Sequence, residues 1–181
     1  MNSRIFKKSK KVTGHYLDHD ILKPAKTGYI LLTLVAALFL NFIPLNAFLH
    51  TIRPDFVALV ILYWCINQPQ RAGMFLAFCA GLMMDVHHAG IMGHHAMVYC
   101  IIVYIASVFR RRSSIFELVK QAPQIGLILV IMQSFQILVT LLSGAYFPGW
   151  HFFLASLSGA LIWPLVSYYL SLPLKPKDDS V

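Results

Sequence analysis

The sequence predicts an all-α polytopic membrane protein, a bundle of about six transmembrane helices. Hydrophobic residues occupy 58% of the 181 positions and charged residues only 12%, whereas about a quarter of the residues of a soluble domain are charged. The apolar residues are also gathered into six runs separated by short polar segments. A membrane-spanning helix needs a run of roughly 20 mostly apolar residues. We therefore expect lipid to surround most of the chain.

The distribution of polar and apolar residues divides the chain into three segments. Residues 1–27 are polar and basic, and they lead into the first apolar run without a convincing small-residue cleavage site. We expect a disordered cytoplasmic tail there, followed by an uncleaved first span. Residues 28–174 are predicted to form the six-span membrane domain, and residues 175–181 a short cytoplasmic C-terminal tail.

The first predicted span is Tyr29 to Ile43, and a helical hairpin follows it. The two arms of the hairpin, Phe56 to Ile66 and Gly73 to Met84, are separated by a polar turn containing Pro69. Arms of about a dozen residues also suit re-entrant segments. We favour two full spans because a re-entrant segment would bury Arg71 at membrane depth. The last three predicted spans are Ala96 to Phe109, Ile125 to Ser143 and Phe152 to Leu172.

The basic residues predict the orientation of these spans. If the six runs cross the membrane alternately, every Lys and Arg except Arg53 falls on one side. The positive-inside rule makes that side cytoplasmic, and it places both termini in the cytoplasm. The net charge of +8 is thereby explained by topology, and no nucleic-acid partner is predicted.

Histidines collect at the predicted outer ends of the spans, close to Asp85. Imidazole and carboxylate groups are zinc ligands, but adjacent histidines on one helix cannot both aim at one ion, and no HExxH-type motif is present. We favour interfacial histidines over a metal site. No catalytic motif is found either, so neither an enzyme nor a cofactor is predicted. The histidines concerned are His50, His87, His88, His94, His95 and His151.

Asp85 stands at the end of the third apolar run, where an acidic side chain is costly in a membrane. It could bond the backbone of the loop that contains Gly90 and Gly93, pair with Arg53, or relay protons. We favour a structural role because no second intramembrane acid completes a relay.

Small residues recur at every fourth position in two of the predicted spans. Gly73, Ala77 and Gly81 share one face of the third span, and Ala155 and Gly159 repeat the spacing in the sixth. Such faces let two helix backbones approach closely. We favour packing within the monomer over contact with another protein.

The segment from Arg110 to Gln121 begins with three arginines, Arg110, Arg111 and Arg112. A capping box, Ser114-x-x-Glu117, and apolar residues follow before Pro123. This pattern predicts a short cytoplasmic helix at the interface, anchored by anionic headgroups. A docking site for a cytoplasmic partner is the alternative.

With the spans placed, the chain resembles the bacterial rod shape-determining protein MreD family over about Tyr29 to Leu174. The longer basic tail and His87-His88 depart from the family pattern. The resemblance is carried by Arg53-Pro54-Asp55-Phe56 leading into Leu62-Tyr63-Trp64, by Pro69 and Arg71, by Gly81 to Asp85 followed by Gly90 and Gly93-His94-His95-Ala96-Met97, and by Trp163-Pro164.

The resemblance implies a non-enzymatic inner-membrane component of the cell-elongation complex, which scaffolds lateral peptidoglycan synthesis and maintains cell shape. The implied partners are MreC, MreB, RodA and a penicillin-binding transpeptidase, all acting at the lipid bilayer. The motif residues are then structural or partner-contact residues rather than a chemical site.

The same resemblance implies a fold similar to the substrate-binding subunits of energy-coupling-factor transporters. It therefore also supplies an alternative function, a small-solute (vitamin-type) transport subunit. Such a subunit needs a cavity lined by convergent polar groups. The candidates are Gln133 and Gln136, which share one face of the fifth span with Thr140, together with Asp85 and the histidines.

Overall fold

Regular structure in the described part of the protein is entirely helical. The structure is a computed structural model, and it describes residues 25–88, 92–113, 118–144, 146–147 and 149–174. The predicted all-α class is confirmed. The α-helices are α1 (Thr27–Phe42), α2 (Ala47–Ile52), α3 (Phe56–Asn67), α4 (Met74–His88), α5 (His94–Ser113), α6 (Leu118–Leu142) and α7 (Leu154–Ser171), and the 3-10 helices Trp150–Phe153 and Leu172–Leu174 flank α7.

Each of the six predicted apolar runs forms a helix, but the helices differ in length. Two segments, Gln121–Leu142 and Trp150–Leu174, are long and apolar enough to cross a membrane by length and composition. The other four apolar helices lie between 10 and 17 residues by the same criteria. The six-span count therefore remains a prediction.

The separate interfacial helix predicted between Arg110 and Gln121 is wrong. Helix α5 continues through Arg110 to Ser113, and α6 begins at Leu118 and runs on through Pro123. A proline inside a helix removes one backbone hydrogen bond, and membrane helices tolerate this because neighbouring groups satisfy the freed carbonyl. The capping box Ser114-x-x-Glu117 lies outside the described residues, as do Gly90, most of the N-terminal tail and residues 175–181.

Helix α2 was not predicted, because its six residues follow a polar break after the first apolar run. It packs on the start of α7, where the Ser158 hydroxyl donates to the Ile52 carbonyl at 2.6 Å. Helix α2 and the loop after it therefore lie on the bundle rather than extending away from it.

The six longer helices run alternately between two ends of the bundle. At one end α1 finishes and α3 starts, with the Asn41 amide 2.8 Å from Asp55. We call this the histidine end, because α4 ends and α5 starts there with histidines. At the other end the Arg71 guanidinium donates to the Ala25 carbonyl at 2.6 Å. We call it the basic end, because the three consecutive arginines that follow Phe109 on α5 also lie there.

Helix α3 forms the centre of the bundle. Its residues Val57 to Ile66 are all buried, and it packs against α1, α5 and α7. The Trp64 indole N–H donates to the Thr33 hydroxyl at 2.9 Å, and the fully buried Trp163 ring lies 6.4 Å from the Tyr63 ring. A helix enclosed on all sides needs no polar face, which explains its uniformly apolar sequence.

Small residues bring α4 against α5 and α6 against α7. A Cβ added to Gly81 would lie 2.3 Å from Ala96 Cα, and one added to Gly159 would lie 2.6 Å from Leu129 Cδ1. Ala77 is fully buried on the same face as Gly81. Gly81 and Gly159 therefore allow close packing between helices of the chain.

Candidate functional site

Asp55 caps helix α3 and joins it to two other helices. Its Oδ1 accepts hydrogen bonds from the Val57 and Ala58 amides at 3.0 and 3.1 Å and from the Asn41 side-chain amide at 2.8 Å. Its Oδ2 accepts from the Tyr99 hydroxyl at 2.6 Å. One carboxylate thus satisfies two free amides at a helix start and connects α1, α3 and α5.

Asn41 completes this network, and sequence reasoning missed it. Its Oδ1 accepts from the Phe56 amide at 3.2 Å, and the side chain is buried on α1. The sequence did offer an indication, since Asn41 is a single polar side chain inside an otherwise apolar run. A buried polar side chain in a membrane helix needs a hydrogen-bond partner. Tyr99 was missed as well, since a tyrosine in an apolar run gives no indication of its partner.

Asp85 performs the same task for helix α5. It is 2% exposed and accepts from the backbone amides of Gly93, His95 and Ala96 at 2.9, 2.8 and 3.3 Å. The His95 Nδ1 lies 2.9 Å from Asp85 Oδ1. Of the three roles considered from the sequence, these contacts correspond to bonding the glycine-containing loop, because Gly93 belongs to it.

Gly93 allows this cap to form. Its φ of +91° lies in the left-handed region, which glycine enters without a steric penalty. The chain can therefore turn from the loop into α5 with its first amides directed at Asp85. Among the described residues, the basic side chain that contacts Asp85 is that of His95 rather than that of Arg53.

A cavity of about 380 Å³ lies at the histidine end, next to both capped helices. This volume falls within the usual range of ligand sites, roughly 300–1,000 Å³. Every helix from α1 to α7 contributes to its wall, directly or through the segment before it. The polar lining residues are Asn41, Thr51, Arg53, Asp55, His94, His95, Gln133, Gln136, Thr140, His151 and Ser156, and the apolar ones are Pro54, Met84, Leu129, Met132, Phe152 and Ala155.

The cavity gathers most of the polar groups considered for the transport alternative. Gln133, Gln136 and three of the histidines line the cavity. Asp85 does not line it, but it contacts His95, which does. The Gln133 Nε2 donates to the Phe152 carbonyl at 3.1 Å, while its buried Oε1 has no hydrogen-bond partner in the described part of the chain. The polar groups of α6 are therefore convergent rather than scattered on separate faces.

The histidines do not assemble a metal centre in the described part of the chain. No group of three or more His, Cys, Asp or Glu side chains there is placed to hold an ion. His87 instead stacks on Phe42, with ring centroids 4.0 Å apart. The side chain of His50 lies outside what the structure describes. The metal alternative thus gains no support from these residues.

The remaining predicted site residues lie away from the cavity. Trp163 and Pro164 are in the middle of α7, where Trp163 belongs to the core. Gly73 immediately precedes α4 at the basic end. The backbone of Arg110 to Arg112 forms the last turn of α5 at that end, and nothing can be assigned to their side chains. Among the described residues of this set, the cavity wall contains Arg53, Pro54 and Asp55. Asp85, which bonds the Gly93 amide, lies next to the wall residue His95.

The apolar helical bundle, with a buried capping carboxylate at Asp85 and a partly buried one at Asp55, is that of a helical membrane protein. Over residues 25–172 the sequence matches the family described as rod shape-determining protein MreD, and the chain belongs to that family. The family is one of shape-determining structural proteins rather than enzymes, so the chain has a role in rod-shape determination.

A curated relative supports this assignment. The chain is 27% identical over 141 residues to the rod shape-determining protein MreD of Haemophilus influenzae, covering 76% of this chain and 85% of the relative. No solved structure matches the chain. The expected likeness to energy-coupling-factor subunits therefore remains a prediction.

Proposed function

We propose that the protein is a six-span inner-membrane component of the cell-elongation complex that scaffolds lateral peptidoglycan synthesis through contact with MreC. The observation that carries this proposal is the family match over residues 25–172, which extends across nearly all of the described helices. The two capping carboxylates, Asp55 and Asp85, support a structural role, because their hydrogen bonds hold helices together. MreB, RodA and a penicillin-binding transpeptidase would belong to the same complex.

Six spans are compatible with a short central helix. At 1.5 Å per residue the 12 residues of α3 extend only about 18 Å, less than the roughly 30 Å hydrocarbon layer. However, Val57 to Ile66 are covered by other helices, so α3 does not need to match the lipid thickness. The longer α6 and α7 would face the lipid across the whole layer.

The distribution of charge supports cytoplasmic termini. Arg53 lies at the histidine end, whereas Lys26, Arg71 and the arginines at the end of α5 lie at the basic end. The positive-inside rule assigns the basic end to the cytoplasm. The cavity would then open toward the periplasmic side, where the bulk of MreC, as a single-span periplasmic protein, would be found.

Photo-crosslinking in living cells tests the contact with MreC. A benzophenone amino acid would replace Phe75 on α4, Tyr104 on α5 or Leu161 on α7, whose side chains are 81%, 61% and 72% exposed. Val98, which is fully buried on α5, is the matched control position. We expect an MreC adduct from at least one exposed position and none from Val98. Absence of an adduct at every exposed position would contradict direct contact through these helices.

The transport-subunit function is kept as a second candidate because the cavity gathers convergent polar groups. It predicts that Arg53→Gln lowers uptake of a solute while cells keep their rod shape. The scaffold function predicts instead that loss of the protein changes cell shape, so that the cells round or widen. Measuring shape and uptake in the same strain separates the two.

A further inference from the structure

We propose that the cavity at the histidine end is a binding site for a small organic anion that also carries a hydroxyl or N–H donor. This inference goes beyond the scaffold role, and it would also define the substrate class of the second candidate function. It rests on two groups in the cavity wall, Arg53 and Gln133, and on the way Asp55 is already satisfied.

Arg53 supplies the anion-binding half of the site. Its guanidinium carries five N–H donors, and the structure uses one nitrogen, Nη1, to donate to the Ile43 carbonyl at 2.7 Å. Among the described residues no carboxylate forms an ion pair with it. A half-buried guanidinium with donors to spare is suited to a carboxylate or phosphate group, which it can bind in bidentate geometry.

Asp55 does not compete for that role, although it also lines the cavity. Its two oxygens already accept four hydrogen bonds, from two α3 amides, from Asn41 and from Tyr99. The negative charge is therefore stabilised by fixed donors within the helix network. Arg53, by contrast, is a charged residue of the described wall that keeps N–H donors available for a ligand.

Gln133 supplies the donor-binding half. The side chain is 7% exposed, and its amide orientation is set by the bond from Nε2 to the Phe152 carbonyl. Its Oε1 is then a buried acceptor without a partner among the described residues, which is costly in an apolar bundle. The atom is enclosed in the wall as the side chain stands, so a ligand hydroxyl or N–H group would satisfy it once the Gln133 amide turns toward the cavity that its side chain lines. Arg53 and Gln133 belong to different elements, the loop before α3 and helix α6, so one ligand would bridge them.

The size of the cavity limits the ligand. About 380 Å³ corresponds to roughly a dozen water molecules at about 30 Å³ each, hence to a ligand of about that many non-hydrogen atoms. Two sources carry the required chemistry: a soluble organic acid, or the headgroup of an anionic lipid with free hydroxyls such as phosphatidylglycerol. The experiment distinguishes them.

The probes are sn-glycerol 3-phosphate and alanyl-alanine, titrated calorimetrically into the full-length protein in phosphatidylcholine nanodiscs. Both carry an anion and donors, one as phosphate with hydroxyls and one as carboxylate with N–H groups. Inorganic phosphate and glycerol are the matched control probes, because each provides only half of the chemistry. We expect at least one of the two full probes to bind with a Kd on the order of 1 mM or lower, and each control probe to bind at least about tenfold more weakly.

Two pairs of variants locate the binding. Arg53→Gln and Gln133→Met should each weaken binding about tenfold or more, the loss expected for one charge-assisted or buried hydrogen bond. Arg71→Gln is the control for the first, because Arg71 also donates to a backbone carbonyl but at the basic end. Ser134→Ala is the control for the second, since Ser134 is exposed on the opposite side of α6. Both controls should bind as the unmodified protein does.

Repeating the titration in phosphatidylglycerol nanodiscs identifies the source. Unchanged affinity there indicates a soluble ligand, whereas competition by the lipid, with phosphatidylglycerol retained in native mass spectra and lost in Arg53→Gln, indicates a headgroup. The proposal is overturned if neither full probe binds, if inorganic phosphate binds as tightly as the full probes, or if both cavity variants bind normally. None of these results would alter a cell-shape phenotype, so the scaffold function is tested independently.

Discussion

Replacing Asp55 tests whether one carboxylate holds three helices together. Asp55→Ala removes the cap of α3, which contributes about 1 kcal/mol. It also removes the bonds from Asn41 and Tyr99, and side-chain bonds between membrane helices contribute roughly 0.6–1.7 kcal/mol each. The free energy of unfolding should therefore fall by about 2–4 kcal/mol.

The assay is unfolding by SDS in mixed phospholipid–detergent micelles, followed by tryptophan fluorescence and circular dichroism. Asp55→Asn keeps one oxygen to accept the amides of α3 and should lose only part of this stability. A double-mutant cycle with Tyr99→Phe isolates the bond between α3 and α5. Tyr104→Phe is the matched control, because Tyr104 lies on the same helix with its side chain 61% exposed.

The reasoning is refuted if Asp55→Ala changes the free energy of unfolding by less than about 0.5 kcal/mol, the range of an ordinary surface substitution. A zero coupling energy between Asp55 and Tyr99 would refute the specific bond at 2.6 Å even if the total loss were large. In that case the cap and the bond from Asn41 would account for the effect.

Three further predictions use the same unfolding assay. Gly81→Ala should lower the free energy of unfolding by about 1–3 kcal/mol through overpacking, since its Cβ would lie 2.3 Å from the backbone of α5. Gly73→Ala is the control and should be close to neutral, because the nearest atom to its Cβ would be 3.9 Å away. Equal effects of the two substitutions would contradict the close approach of α4 and α5. Trp163→Ala should cost about 3–5 kcal/mol, because the side chain is fully buried, and a loss below 1 kcal/mol would place it outside the core. Asp85→Ala should cost about 2 kcal/mol or more, because three backbone amides of the loop and α5 lose their acceptor, and normal stability would show that water replaces the carboxylate.

The positions of the helices could be predicted from the sequence because apolar runs directly reflect burial in lipid or in the bundle. Their ends could not be predicted as well. Helix α6 starts at Leu118 and passes through Pro123, which by local rules marks a boundary. The helix tolerates this proline because Pro123 lies close to its start and removes only one backbone hydrogen bond.

The candidate site was only partly predictable. The spacing of Gln133 and Gln136 places them on one face of α6, and the cost of an acidic residue in a membrane marked Asp85. These glutamines and Arg53 line the same cavity because of the way the helices pack in three dimensions. Local sequence patterns contain no information about that packing. Asn41 was missed for the same reason, because its partner Asp55 belongs to another helix.

The central claim, a structural role in rod-shape determination, is tested most directly by depleting the protein in its native bacterium and measuring cell width by microscopy. Rescue by the unmodified chain shows that any change in width is specific. We predict that cells round or widen as the protein is lost and that the unmodified chain restores their width. Unchanged width after complete depletion would contradict the claim.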